Sequence, residues 1–309
     1  MSWLKIYNKN SIRLMFTLIA LLMSGCLSLY NLAHNPDVKR ISQLKGQPPK
    51  TWAQHRTLRM LTYNVHDLYI ASDNRPERMR SIGAFIAKLE PDFVALQEAF
   101  IESDRDLLLR ELMHTKLKHS KYYESGLVGS GLLVISAYPI EAANFRRFSR
   151  NGKCYKPWHG DWWAGKGVAL ARLRLSQDEY IDLFNLHVHA RYDFTHPDDE
   201  YLLDRLSQIK EIKGFVRDLS VSSIPALILG DFNATFSSRE LASLRGGVRL
   251  LSSTHQDLID LILWRRVADY RVDTLSTEIK RPTLMVDGVS LPLSDHPAII
   301  STVMIKPHR

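Results

Sequence analysis

Cysteine is nearly absent. The 309 residues hold two, Cys26 and Cys154, too few for a disulfide framework or a thiolate-rich zinc site. The chain also lacks an apolar run of the roughly 18–20 residues that a relaxed membrane-spanning helix needs. Its N-terminal run, Leu14–Met23 (LMFTLIALLM), stops after ten. Acidic residues are missing from the first 25 positions, which carry Lys5, Lys9 and Arg13. Internal repeats and low-complexity tracts are missing as well. Charged residues make up 24% and hydrophobic ones 45%. A disordered chain would be poorer in apolar residues and richer in charge, so this is a globular composition. The length favours one large mixed α/β domain.

The first 25 residues read as a leader: a basic start, a short apolar core, then Ser24-Gly25-Cys26. The run LMSGC resembles the lipobox of bacterial lipoproteins, with Met23 where Leu is usual. The resemblance implies a lipidated Cys26 as first residue of the mature chain. An uncleaved anchor helix and simple secretion are the alternatives, and all three place the protein outside the cytoplasm. The expectation is a cell-envelope lipoprotein, periplasmic or on the outer-membrane face. Without the leader's three positive residues the formal net charge falls from +8 to +5. That modest basic balance favours a phosphate-bearing partner, anionic lipid surface or nucleic acid, without choosing between them.

Residues 26–57, with Pro36, Gly46, Pro48 and Pro49, read as a tether, and 58–309 as the folded domain. Strand and helix signals alternate from Leu58. Strands are expected over 58–64, 93–97, 132–136, 168–175, 180–189, 226–229, 258–264 and 298–304. Helices are expected over 76–89, with Pro76 in the first turn, and over 200–219, with Leu203, Leu206, Ile209, Ile212 and Phe215 on one face. The alternation suggests sheets flanked by helices.

Polar residues gather at the C-terminal ends of these strands, where α/β proteins build sites. Tyr63-Asn64-Val65-His66 follows the first. Glu98 directly follows an apolar strand. In Asn185-Leu186-His187-Val188-His189, alternation puts Asn185, His187 and His189 on one face. Gly230-Asp231-Phe232-Asn233 and Ser294-Asp295-His296-Pro297 end later strands. Asp260 lies within an apolar stretch, where a buried charge is costly unless paired, and a histidine is a natural partner. Each segment alone has a bland reading: a structural histidine, an ordinary turn, a buried salt bridge.

Taken in order, the segments resemble the endonuclease/exonuclease/phosphatase superfamily, the deoxyribonuclease I-like fold. Its signature is an Asn after the first strand, Gln-Glu, Asn-x-His, Gly-Asp-x-Asn, an Asp in a late strand and a terminal Ser-Asp-His. All occur here between residues 58 and 304. The resemblance implies a four-layer αββα sandwich, two packed mixed β-sheets flanked by helices, with the site where sheet edges meet. Gln97-Glu98-Ala99-Phe100, Lys166-Gly167-Val168-Ala169, Asn185–Ala190 and the later Arg205 and Gln208 resemble the neutral sphingomyelinase branch. Two positions depart from it: His189 stands where Gln is common, and Ala137 where a basic residue is usual.

The resemblance implies a phosphoric ester hydrolase with Mg²⁺, or Mn²⁺, held by Glu98 with Asn64 and the auxiliary Asp295. Mg²⁺ suits so few carboxylates because it keeps waters and takes phosphate oxygens. It further implies His296 as the general base oriented by Asp260, and His187 as hydrogen-bond donor to the phosphoryl oxygen. Asn233 would hold the phosphate, and Asp231 would orient the attacking water or a second metal. Histidine suits the base role because its proton affinity lies near neutrality. His189, Lys166, Trp162 and Trp163 are the expected substrate contacts. Tyr155, Trp158, Trp162 and Trp163 crowd one short polar stretch; such aromatics can seat at a membrane interface or bind a choline ammonium, or simply fold over a sheet edge. The expected substrate is a phospholipid such as sphingomyelin. The alternatives are nucleic acid, supported by Arg146, Arg147, Arg150 and Lys153, and inositol phosphates. A lipid anchor is the expected membrane link, and nothing in the sequence calls for an obligate protein partner.

Overall fold

The structure is a computed structural model that describes residues 17–18, 50–70, 72–153, 155–156, 158–193, 199–252 and 257–308. The expected cleavage region, Cys26 and Cys154 lie outside the described residues. Among the described residues no helix is long and apolar enough to cross a membrane.

Two six-stranded sheets pack face to face. In chain order the first holds β1 (Arg56–Asp67), β2 (Phe93–Ala99), β3 (His119–Tyr122), β4 (Leu133–Ser136), β11 (Tyr270–Lys280) and β14 (Ala298–Pro307). Across the sheet they run β11-β14-β1-β2-β4-β3. The second holds β5 (Ile140–Arg147), β6 (Gly167–Arg174), β7 (Tyr180–His187), β8 (Ala226–Asp231), β9 (Val248–Leu250) and β10 (Asp260–Arg265), in the order β5-β6-β7-β8-β10-β9. A hairpin, β12 (Thr283–Val286) with β13 (Val289–Pro292), stands apart. Each sheet has one parallel pair at its centre, β1 with β2 and β7 with β8. A parallel pair needs a crossover. Helices α1 (Arg75–Leu89) and α3 (Leu202–Leu219) supply them, while α2 (Glu102–Glu111) and the short α4 (Ala242–Arg245) follow β2 and β8. This is the expected four-layer sandwich.

Strand periodicity explains both the core and the site. Leu58 and Met60, Phe93 and Ala95, Ile181 and Leu183, Leu227 and Leu229, Ile262 and Trp264 fill the space between the sheets. Their neighbours face the helices: Leu61, Tyr63, Val94 and Leu96 on one side, Phe184, Leu186, Ile228 and Leu263 on the other. Side chains two apart share a face. The face that builds the dry core therefore continues to Thr62 and Asn64, Gln97, Asn185 and His187, Asp231, and Asp260. Every central strand changes from apolar to polar at the same end of the sandwich.

Two boundaries differ from expectation. The domain starts before Leu58: Trp52 is buried, its indole N–H donating to the Tyr180 carbonyl at 2.9 Å and its amide to the Tyr270 hydroxyl at 2.9 Å. In α3, Leu203 is exposed, and the buried face runs through Leu202, Arg205, Gln208 and Ile209. Polar residues enter that face because they have partners. Arg205 sits against Asp199 and Glu240. Gln208 accepts from the His189 amide at 2.8 Å and donates to the Arg150 carbonyl at 2.6 Å.

Candidate active site

The polar strand ends meet in one place. Asn64 of β1 donates to Glu98 Oε1 and to Asp231 Oδ2, each at 3.1 Å, tying the first sheet to the second. Asp231, at the end of β8, lies opposite Asp260 at the start of β10. His296, in the loop before β14, brings Nδ1 to 2.7 Å from Asp260 Oδ2 and Nε2 to 3.9 Å from Asp231 Oδ2. His187 Nε2 lies 3.3 Å from Asp231 Oδ2 and 3.7 Å from Glu98 Oε1. Residues 64 to 296 thus converge on a single cluster.

Backbone conformation helps to aim them. His66, Glu98 and Asn233 have φ of 48°, 55° and 48°, in the left-handed region that non-glycine residues avoid. Three such residues around one cluster fit the tendency of strained backbone to gather at functional sites. Gly230 has φ of 145°, and a Cβ there would lie 2.1 Å from the Leu186 carbonyl oxygen. Glycine is required where β8 passes β7, and that passage sets Asp231 beside His187.

The electrostatics follow from burial and crowding. Burial alone would lower His296's proton affinity. The hydrogen bond to Asp260 and the charges of Asp260, Asp231 and Asp295 outweigh it and push the imidazole up to about 10. Asp260 is pushed up by its burial and by the neighbouring Asp231 charge. Asp231 is held far below the usual carboxylate range: burial opposes this, but His187, His296 and Lys166 prevail. Asp295 is likewise held at about 2, against its own desolvation, chiefly by His66 and His296.

Can the cluster hold a divalent cation? Glu98 Oε2 and Asp260 Oδ1 are buried and accept no hydrogen bond among the described residues. Asp231, Asp260 and His296 present ligand atoms within 4.8 Å of one another. Buried carboxylate oxygens without donors are expensive, and a hard cation with oxygen ligands would satisfy them. The donor set fits such an ion. Asn64 commits its amide nitrogen to the two carboxylates and its oxygen to the His66 amide at 3.0 Å. Only the second lone pair of that oxygen is left for a ligand role. Asp295, with its side chain 59% exposed, sits at the rim, 3.2 Å from His66 Nδ1.

Other expected site residues sit among close partners. His187 is buried, and Lys166 Nζ lies 2.8 Å from its Nε2. Lys166 has three protons and three acceptors here: Asp161, the Val188 carbonyl at 3.4 Å and His187 Nε2. A lysine has no acceptor, so Lys166 donates in this contact, and with Asp231 Oδ2 3.3 Å from the same Nε2 the ring's tautomer sets whether His187 accepts or donates. Asn233 donates one side-chain N–H to the Val188 carbonyl at 2.9 Å, which leaves its second N–H and its oxygen for a ligand. His189 is fully buried, stacked on Tyr201 at 4.1 Å and 3.1 Å from Asp161, so it supports the site from below instead of touching substrate. Trp162 and Trp163 pack edge to face, half-buried, on the turn that carries Asp161. Tyr155 and Trp158 of the same stretch are exposed.

Three further residues, to which the sequence assigns no role, join the cluster. His66 bridges Asp295 and, at 3.8 Å, Glu98; its signal was its place two residues after Asn64. Asp161 holds Lys166, and an acid inside an aromatic run was the only sign of it. Tyr192 stacks on His159 at 4.0 Å with its hydroxyl against the Asp161 amide at 3.3 Å; nothing in the local sequence marked it.

The two-sheet sandwich with this cluster at the strand ends is the deoxyribonuclease I-like fold. The family model described as "Endonuclease/Exonuclease/phosphatase family" matches residues 61–296, and the chain belongs to that family, one of phosphoric ester hydrolases. It is similar to a Drosophila melanogaster protein provisionally named neutral sphingomyelinase, 38% identical over 57% of this chain and 39% of that one. An inositol phosphosphingolipids phospholipase C of Schizosaccharomyces pombe is 36% identical over 57% of this chain and 41% of its own. Mouse sphingomyelin phosphodiesterase 2 is 29% identical over 81% of this chain and 65% of its own. The chain therefore spans 39–65% of the length of these three relatives. Among solved structures, sphingomyelinase C of Streptomyces griseocarneus aligns with a TM-score of 0.60 at 20% identity, covering 80% of this chain and 99% of that one. A Staphylococcus aureus beta toxin variant with bound magnesium ions aligns at 0.61 and 16% identity, covering 80% and 99%.

Proposed function

We propose that this chain is a Mg²⁺- or Mn²⁺-dependent phosphodiesterase that hydrolyses a phospholipid such as sphingomyelin by in-line attack of water activated by His296. The observation that carries the reading is the His296–Asp260 pair, 2.7 Å apart, facing His187 and Lys166 across Asp231. A phosphodiester resists attack because negative oxygens shield the phosphorus, so a site must supply positive charge, a base and a held water. His296 would take the water's proton on Nε2 once a bound cation offsets the carboxylates that raise its proton affinity. Asp260 holds Nδ1 and stabilises the imidazolium that results. Lys166, beneath His187, brings the positive charge that a developing phosphorane needs. Glu98, with Asn64 beside it and Asp231 within reach, would hold the cation, which supplies charge neutralisation at the phosphoryl oxygens when bound.

The names of the relatives support a sphingolipid substrate. The leader and LMSGC support a cell-envelope lipoprotein, extracytoplasmic and held to a membrane through Cys26. A parallel assay tests the substrate class: sphingomyelin-containing vesicles, plasmid DNA and an inositol phosphate, each with Mg²⁺ and with chelator. Vesicle hydrolysis that stops in chelator and returns with Mg²⁺ is expected. Cut DNA beside untouched vesicles would replace the lipid reading with a nuclease, and full activity in chelator would remove the cation from it.

A further inference from the structure

Between the dry core and the catalytic cluster lies a layer that neither packing nor chemistry has used. Thr62, Gln97 and Asn185 are fully buried between the sheets. Gln97 Nε2 donates to Asn185 Oδ1 at 2.8 Å, to Thr62 Oγ1 at 3.1 Å and to the Ala95 carbonyl at 3.1 Å. Asn185 Nδ2 donates to the carbonyls of Leu96 at 2.9 Å and Leu133 at 3.3 Å. Thr62 and Gln97 belong to the first sheet and Asn185 to the second. We propose that these three form a positioning deck that fixes Glu98 in register with His187, so that the cation ligand and the His187–Lys166 pair are held by a directional bridge across the two sheets. The inference rests on the reading of Glu98 as a cation ligand.

Three features point to alignment rather than filling. At the same parity, two residues earlier, the strands carry Met60, Ala95 and Leu183, which pack between the sheets without any polar group. Another apolar layer would have served stability at no desolvation cost. Apolar contacts, however, do not fix direction, whereas a fully satisfied buried amide network specifies one arrangement. Next, the network touches the chain where Glu98 is set. Leu96 and Leu133 are the last residues paired between β2 and β4. Past them β2 leaves the ladder with β4 while still pairing with β1, and Glu98 takes its left-handed φ of 55°. Asn185 supplies hydrogen bonds to both carbonyls at that fork, and Gln97 is the residue before Glu98. Finally, Asn185 lies two residues before His187 on the same strand face, so one side chain is tied to both halves of the cluster.

Direct Mn²⁺ binding to the full chain, measured by calorimetry beside vesicle kinetics, tests the deck. Groups behind a metal ligand typically change affinity by about 10- to 100-fold. Asn185→Leu is expected to weaken Mn²⁺ binding about tenfold or more and to lower kcat, with KM for the vesicles within about twofold. Adding Gln97→Leu should cost little further Mn²⁺ affinity, because the bridge to the second sheet is already gone. Thr62→Ser should behave as wild type and the near-isosteric Thr62→Val should bind Mn²⁺ several-fold more weakly; if Asn185→Leu does not fold, this pair decides. Wild-type Mn²⁺ affinity in folded Asn185→Leu or Thr62→Val, with only melting temperature reduced, overturns the deck. A wild-type chain that binds no Mn²⁺ removes instead the cation reading beneath it.

Discussion

Nδ1 of His296 lies 2.7 Å from Oδ2 of Asp260, although the two residues reach each other from different sheets. His296 enters from the loop before β14, and Asp260 opens β10. The sandwich is therefore what makes the pair, and Asp260, buried at the sheet end, has no solvent to share its charge with.

Loss of either member should show in turnover before stability. General acid–base catalysis contributes about 10²- to 10⁴-fold, so His296→Ala is expected to lower kcat by about three orders of magnitude in a folded protein. Asp260→Asn keeps the shape and removes the charge, and a drop of about 100-fold is expected. The double variant should be little worse than His296→Ala, because the two act as one unit. Circular dichroism and steady-state rates check this. A loss below about tenfold for His296→Ala, roughly 1.4 kcal/mol, would strip His296 of the base role.

The crowd of carboxylates around His296 sets a pH signature. The folded imidazole is pushed up to about 10 from 6.5, so the folded chain binds that proton more tightly than the unfolded one. The stability this lends is complete below pH 6.5 and is lost as pH rises from there towards 10. Denaturant unfolding in chelator should show stability declining across that window, with a flatter profile for His296→Gln. A divalent ion placed among the same carboxylates would cancel their charge and lower the ring's proton affinity. The His296 resonance should then titrate at lower pH with Mg²⁺ than in chelator, and an unmoved titration would contradict a cation next to this pair.

Much of this arrangement was legible from strand ends alone. Asn64, Glu98, His187, Asp231, Asp260 and His296 all sit where an apolar alternation turns polar, and the alternation is local enough to read. Contacts made by partners far apart in sequence were not legible. Lys166 reads as a substrate contact only through the family resemblance of its segment; the fold reveals Asp161 beside it and His187 above. His189 reads as equivalent to His187 because period two makes them so, yet β7 ends at His187 and the next residues turn under Tyr201. Leu203 fits the helical period but faces solvent, because Arg205 and Gln208 found buried partners. Strands β3, β5, β9 and β11 escaped notice for the same reason: at or near sheet edges, with charged and half-exposed side chains, they lack the apolar signature of central strands.

Gly230 should tolerate no side chain. Its φ of 145° and the 2.1 Å approach of a Cβ to the Leu186 carbonyl oxygen leave the strand pair nowhere to go. Gly230→Ala is expected to destabilise the protein by about 2–3 kcal/mol or more, and to misplace Asp231 relative to His187. Denaturant melts beside activity check it. An Ala variant with wild-type stability would show that β7 and β8 can separate without cost.

Asp161 and Lys166 should separate structural charge from chemical charge. Burial raises the Asp161 carboxyl's proton affinity, but Lys166, His189 and His187 outweigh it and hold the group at about 2, against 3.8 for a free side chain. The folded value is depressed, so its contribution is present above pH 3.8 and is lost as pH falls from there towards 2. Acid unfolding should steepen in that window, and Asp161→Asn should blunt it. Both side chains are buried, so Lys166→Met removes the main counter-charge of a buried carboxylate and is expected to cost about 3–5 kcal/mol. Adding Asp161→Asn removes that charge and should restore most of the stability. It should not restore turnover, because His187 Nε2 would still lack the cation 2.8 Å away. A stable double variant with wild-type kcat would mean that Lys166 serves the fold alone.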